Sequence, residues 1–380
     1  MTTSFSDRAA RMALSCVVDC GDPALCDLVE KSGAQLAWAK VQAGRFGDPI
    51  TLRAAALDLD LITERGERTG SRFIIPGDEE WPDRLQDLHF CDPVQRRGGV
   101  PVGLWLRGPG HLASLVERSA AIVGSRACTS YGSGVAADLG ADLAEQGVTV
   151  VSGGAFGIDA AAHRGALAVH GHTVCVVANG VDVPYPAGNA ALFGWLAKDH
   201  LLVSELPPGA HPTRVRFLAR NRLIAALSQG TVVIEAALRS GARNTATWAL
   251  ACNRQLMAVP GPVHSTMSAA PHLMIRNGQA TLVTSAADVL ELISTMGENV
   301  LPLQQGDSRP TDGLAPSRLA VYEAVPVRRR ATAGDIALSA GVTMAQCLAE
   351  LAALELAGLV EGDADGWHLA PAITGATANH

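Results

Sequence analysis

The sequence predicts an α/β protein with a doubly wound, mostly parallel sheet, a small helical domain before it and a separate module after it. Three observations carry that prediction. From about residue 115 to 296, short β-branched runs alternate with amphipathic helical runs, as in strands joined by helical crossovers. Two of those strands run directly into glycine turns. Beyond about residue 316 the pattern changes to helices followed by a hairpin.

Residues 1–70 read as short helices: "RAARMALSCVV", "ALCDLVEKSG", "LAWAKVQAG" and "TLRAAALDLDLITERG", broken by Gly-Asp and Asp-Pro turns. Residues 71–297 form the α/β core. It opens on an extended segment from Arg72 to Arg107 that contains the strand-like "VGLWLRG". Further strands are read at "SAAIVGS", "GVTVVSG", "HTVCVVA", "HLLVSEL", "GTVVIEA", "QLMAVPG" and "ATLVTS", with helices between them. Residues 298–316, polar and rich in Pro and Gly, read as a linker. Residues 317–372 read as a winged helix: three helices, then a hairpin around "DADG".

Composition bounds the function. A chain of 380 residues that is 48% apolar can fill two or three cores. It has no run of 18 apolar residues to span a membrane, and the N-terminus lacks a secretory pattern, so a cytoplasmic location is expected. Eight scattered cysteines without a C-x-x-C pair read as thiols in a reducing compartment, and Cys16, Cys20 and Cys26 as buried small hydrophobes. No metal site is expected. The net charge of −7 conceals an asymmetry: residues 206–287 hold eight arginines and the single acid Glu235, a local +7.

Ligands of open α/β sheets bind beyond the carboxyl ends of the strands. One turn there carries Gly124, Ser125 and Arg126, with Thr129 opening the next helix. A second carries Ser152, Gly153, Gly154, Phe156, Gly157 and Asp159. Neither is a P-loop or a G-x-G-x-x-G turn, and the second strand ends without a ribose-binding acid, so no nucleotide cofactor is expected. The glycines serve either anion binding or tight strand–helix packing; Ser152, Gly153 and Gly154 are expected to form one wall of a pocket for a polynucleotide backbone. Arg126 is either a planar fork for phosphate or half of a salt bridge.

The segment "HPTRVRFLARNRLIAALS" holds Arg214, Arg216, Phe217, Arg220, Asn221 and Arg222. As a helix it would turn Leu218, Leu223, Ile224 and Leu227 inward and leave much of the arginine set facing solvent. A basic groove with an aromatic platform suits sequence-tolerant binding of a single strand, with Phe217 and Phe156 as candidate platforms or as core residues. A third polar turn holds Arg239, Ser240, Gly241 and Thr245. Glu235, at a strand end before it, is read as pinning neighbouring groups, with a catalytic role as the other reading. Asp159 and His163, four apart, are read as a structural pair.

In the C-terminal module the expected recognition helix, "TMAQCLAELAALELAG", has two glutamates and no basic residue. That favours protein contact or regulation over DNA binding. Only Arg328, Arg329 and Arg330 are placed to meet phosphates.

The blocks "AIVGSRACTSYG", "VVSGGAFGIDAAAHRGAL", "VCVVANGVDVPYPAGNAALF", "LLVSELPPGAHPTRVRFLARNRLIAALS", "VVIEAALRSGARNTATWA" and "VPGPV" resemble, in order, those of the DNA-processing protein A (DprA/Smf) family. The resemblance is dense over roughly residues 70–290. It implies an extended Rossmann-like core, a SAM or helix-hairpin-helix-like N-terminal domain, and a non-catalytic protein that binds single-stranded DNA as a homodimer through that core. It also implies protection of incoming DNA and loading of the RecA recombinase in natural transformation. Phe156 stands where the family usually has a basic residue, and Leu218 where it has proline. The other reading is a nucleotide-processing enzyme like the phosphoribohydrolases, with Glu235 as acid or base; "RSGARNTA" stands where their P-G-G-x-G-T signature would be.

Overall fold

The computed structural model describes residues 5–295, 299 and 310–371. The chain divides into two compact units, Met1–Leu301 and Pro302–His380. Of the expected linker, residues 298 and 300–309 lie outside the described residues, as does residue 372 of the expected C-terminal module.

The first unit opens with helices α1 (Asp7–Val17), α2 (Pro23–Ser32), α3 (Ala34–Gln42), α4 (Asp48–Ala55) and α5 (Leu59–Thr69). Ser6, Asp22 and Asp58 cap α1, α2 and α5 by accepting backbone N–H groups otherwise left without partners. The run 51–66, expected as one helix, is broken because Asp58 turns extended to cap a new one. Ala13, Leu14, Leu28 and Trp38 form part of a core built mainly by these helices and joined by Val102 from further along the chain. Arginines tie them to the sheet: Arg8 donates to the Phe73 carbonyl at 2.7 Å, and Arg65 lies 3.0 Å from Asp182.

The sheet has nine strands: β1 (Ser71–Ile74), β2 (Leu104–Arg107), β3 (Ser119–Val123), β4 (Thr149–Ser152), β5 (Thr173–Val176), β6 (Leu201–Ser204), β7 (Gly230–Val233), β8 (Gln255–Ala258) and β9 (Thr281–Leu282). The order is β1-β2-β6-β5-β4-β3-β7-β8-β9. β3 to β9 pair in parallel; β1 with β2 and β2 with β6 are antiparallel. The helices of this core are α6 (Leu112–Glu117), α7 (Ser130–Glu145), α8 (Ile158–Ala168), α9 (Ala190–Asp199), α10 (Arg214–Leu227), α11 (Ala242–Ala251), α12 (Ala269–Arg276) and α13 (Ala286–Ile293). Alternation along β3 feeds two cores. Ala121 and Val123 join one that includes Leu223 and Trp248; Ala120 and Ile122 join the other, with Leu143 and Ile158.

From β3 the chain steps through β4, β5 and β6 to one side, then returns to β7 on the other. The crossovers diverge at the carboxyl ends of β3 and β7. That topological switch point is where the fold opens a crevice.

The second unit comprises α14 (Pro316–Ala324), α15 (Ala333–Ala340), α16 (Met344–Leu356) and a hairpin of β10 (Val360–Asp363) and β11 (Gly366–Leu369). Val321, Ile336, Cys347, Leu351 and Leu354 belong to its core. Arg330, expected to be available to phosphates, is paired with Asp363 at 2.6 Å and Asp365 at 3.7 Å.

Candidate nucleic-acid interface

A cleft of about 1050 Å³ opens at the switch point. The turn after β3 supplies Gly124, Ser125 and Arg126 to its wall; the turn after β7 supplies Arg239, Ser240 and Gly241. α10 contributes Arg214, Phe217, Arg220 and Asn221, and α11 contributes Arg243 and Thr245. Five arginines therefore meet one acid, Asp159, among the described residues of the lining. The amino ends of α10 and α11 add their positive dipole ends to the same space.

Arg220 is the unusual member. It is only 5% exposed, Nη1 donates to the Val176 carbonyl at 3.0 Å, and Nε has no partner. Among the described residues no carboxylate comes within salt-bridge distance of it. Burial pushes its guanidinium down from the ordinary arginine value, and the charge of Asp159 opposes that shift. Above it Phe217 faces Arg126, whose guanidinium carbon lies 4.7 Å from the ring centroid. Tyr185 flanks the same ring, 5.8 Å between centroids.

The second glycine turn does something other than expected. Ser152 is fully buried and its hydroxyl donates to the Ile122 carbonyl at 2.6 Å. Gly153 leaves room for Arg220: a Cβ there would lie 1.5 Å from Nη1. Gly154 packs against Cys175 and Phe193, and Gly157, at φ +77°, lies against the carbonyls of Ser125 and Arg126. The Ala155 amide points 3.4 Å to Asp159, and the Gly153 amide also favours its carboxylate. Burial still dominates and pushes the Asp159 carboxyl up, with Arg220 the main opposing influence. The group this turn cradles is the chain's own carboxyl. Ser152, Gly153 and Gly154 thus do not line the cleft, because tight packing uses them.

Three more expected contacts lie elsewhere. Arg222 is 0% exposed and gives both terminal nitrogens to Glu205, an ion pair that removes it from solvent. Arg216 donates to the His211 carbonyl at 2.6 Å and sits 4.0 Å from Asp19. Thr129 caps α7 and gives its amide and hydroxyl to Glu235 at 2.8 and 2.6 Å. Glu235 accordingly pins the first turn. Asp159 and His163 are not bonded to each other; His163 Nδ1 meets Thr173 Oγ1 at 2.7 Å.

The family model for DNA recombination-mediator protein A matches residues 72–294, the sheet and every wall of this cleft. The chain belongs to that family. The Mycobacterium tuberculosis protein assigned as DNA processing protein DprA is 45% identical over 368 residues, covering 93% of this chain and 92% of that one. The crystal structure of DprA from Streptococcus pneumoniae superposes with a TM-score of 0.63 at 30% identity, over 77% of this chain and 100% of that chain. DNA processing protein A from Helicobacter pylori, whose structure concerns its single-stranded DNA binding mode, gives 0.50 at 27% identity, over 58% and 94%. Within this cleft, sequence reasoning missed Tyr185, Arg243 and Asn244. Arg243 lay within the counted arginine excess, but Asn244 is legible only through its 3.2 Å bond with Asn221. No single helix among the described residues is long and apolar enough to cross a membrane.

Proposed function

We propose that the switch-point cleft binds the backbone of single-stranded DNA and that the protein acts as a mediator without a catalytic step. The observation that carries the reading is Arg220, a buried guanidinium with an unpartnered Nε at a wall shared with four further arginines. A phosphate oxygen is the partner such a fork lacks. Arg126 and Arg239 are placed to hold flanking phosphates, and Phe217 with Tyr185 offers bases a ring to stack on. The single-stranded DNA binding of the H. pylori relative supports the same ligand class. The family's designation as a recombination mediator supports the further steps: protection of incoming strands in transformation, action as a homodimer through the sheet domain, and transfer of the strand to RecA. For the C-terminal unit we infer a protein-contact role.

The enzymatic alternative needs Glu235 free, and Glu235 is bonded to Thr129. Fluorescence anisotropy with a labelled single strand and its duplex, titrated with salt, tests the proposal. The expected result is preference for the single strand and a steep negative salt slope. Absence of binding at low salt overturns it, and nucleoside monophosphate turnover lost in Glu235→Ala would establish the alternative.

A further inference from the structure

Away from the strand-binding wall, two thiols meet. Cys91 ends the 3-10 turn Asp83–Phe90, and Cys252 follows the last residue of α11. Their sulfurs are 3.4 Å apart although 161 residues separate them in the chain. Among the described residues no other cysteine pair brings its sulfurs within hydrogen-bonding distance. Cys91 is half-buried, its Sγ 3.2 Å from the Asp87 carbonyl and 3.3 Å from that of Ala251, whereas Cys252 is 3% exposed.

We propose that Cys91 and Cys252 are a modification site for hydrogen peroxide, which converts the pair to a disulfide that fastens the segment ahead of Gln95 to the end of α11. Formation requires the sulfurs to close from 3.4 Å to a bond length of about 2 Å. The more accessible Cys91 reacts first. It gives its proton to solvent and its thiolate attacks one peroxide oxygen; the O–O bond breaks, and the departing hydroxide takes up a proton to leave as water. The Cys252 sulfur then attacks the Cys91 sulfenic acid. The S–O bond breaks, and hydroxide leaves as a second water with the Cys252 proton. Two thiols lose two electrons in all, and one peroxide becomes two waters.

Burial pushes both thiols up; for Cys91, Asp87 and Asp92 add to that shift while Arg254 and the hydrogen bond to Cys252 oppose it. The reaction therefore quickens as pH rises.

The segments that carry the two thiols also reach the cleft wall, where Gln95 Oε1 accepts from Asn244 Nδ2 at 3.5 Å. The test exposes the full-length protein to hydrogen peroxide and maps its peptides without reduction. The expected result is a Cys91–Cys252 linked peptide lighter by two hydrogens, with a Tm raised by about 5 °C and restored by dithiothreitol. Cys91→Ser and Cys252→Ala each abolish the linked peptide and the rise in Tm. Sulfinic acid at Cys91 with Cys252 left as a thiol, or linkage of Cys91 to a different cysteine, overturns the proposal. The wild-type map alone decides this if either variant fails to fold.

Discussion

Arg222 and Glu205 form a buried two-pronged ion pair, with Arg222 Nη2 2.6 Å from Glu205 Oε1 and the two side chains 0% and 7% exposed. Arg222 Nε also donates to the Gly99 carbonyl at 3.0 Å, so one side chain holds α10 to the stretch before β2 and to the end of β6. Two positions earlier on the same helix, Arg220 has no such carboxylate. The pair is structural; its neighbour keeps an Nε without a partner.

Arg222→Met should leave Glu205 as an uncompensated buried charge and cost about 3–5 kcal/mol in urea unfolding. Adding Glu205→Leu should recover most of that loss. A small effect of the single change would mean the pair is solvated in solution.

Arg220→Met gives a different signature. Arg220 has no ion-pair partner but does oppose the burial of Asp159, so its loss should lower Tm by less than the loss of Arg222 does, while affinity for a single strand falls at least about tenfold. Thermal melts and anisotropy on the same preparation read both. A fall in Tm as large as that of Arg222→Met would make Arg220 a structural residue.

Stacking and charge separate at Arg126 and Phe217. Phe217→Ala should weaken binding by about 1–3 kcal/mol with an unaltered salt slope, because the ring contributes no counterion release. Arg126→Ala should flatten the slope of log K against log salt by about 0.7, the contribution of one single-strand phosphate. Equal slopes for both variants would remove Arg126 from the phosphate contacts.

His163 supplies a pH dependence. Burial, with smaller contributions from His200, Arg220 and Arg164, lowers its pKa from 6.5 to about 3. The unfolded chain then binds a proton that the folded chain refuses, so this contribution to stability is lost as pH falls through 6.5 toward 3. Between pH 7 and 5 the wild type should lose about 2 kcal/mol relative to His163→Gln. Measuring the difference cancels the opposing trend from Asp159, whose raised pKa favours the fold at lower pH. Parallel curves for the two proteins would show that His163 titrates normally.

Most strands of the core were legible because they are short apolar runs ending at glycine or a polar turn. The cleft was legible from Arg126, the arginine-rich segment and the turn at Arg239. The antiparallel edge, β1-β2-β6, was not, since "VGLWLRG" carries no mark of its partner's direction. Nor was the division among the arginines of α10. Arg220 and Arg222 look alike in a string, and the residues that separate their fates, Val176, Gly99 and Glu205, arrive from distant segments. Thr129 was misplaced for a similar reason: its partner Glu235 is 106 residues away.

The internal carboxylate of Asp159 beneath the second glycine turn has a kinetic consequence. Because that turn already holds the Asp159 carboxyl group, the loop needs no arriving phosphate to take its shape, and Arg220 is seated over Gly153 beforehand. A strand thus meets a preorganised receptor, and little ordering entropy opposes capture. Association should follow a single exponential whose rate rises linearly with protein concentration and falls with salt, governed by encounter rather than by a slower rearrangement of the loop.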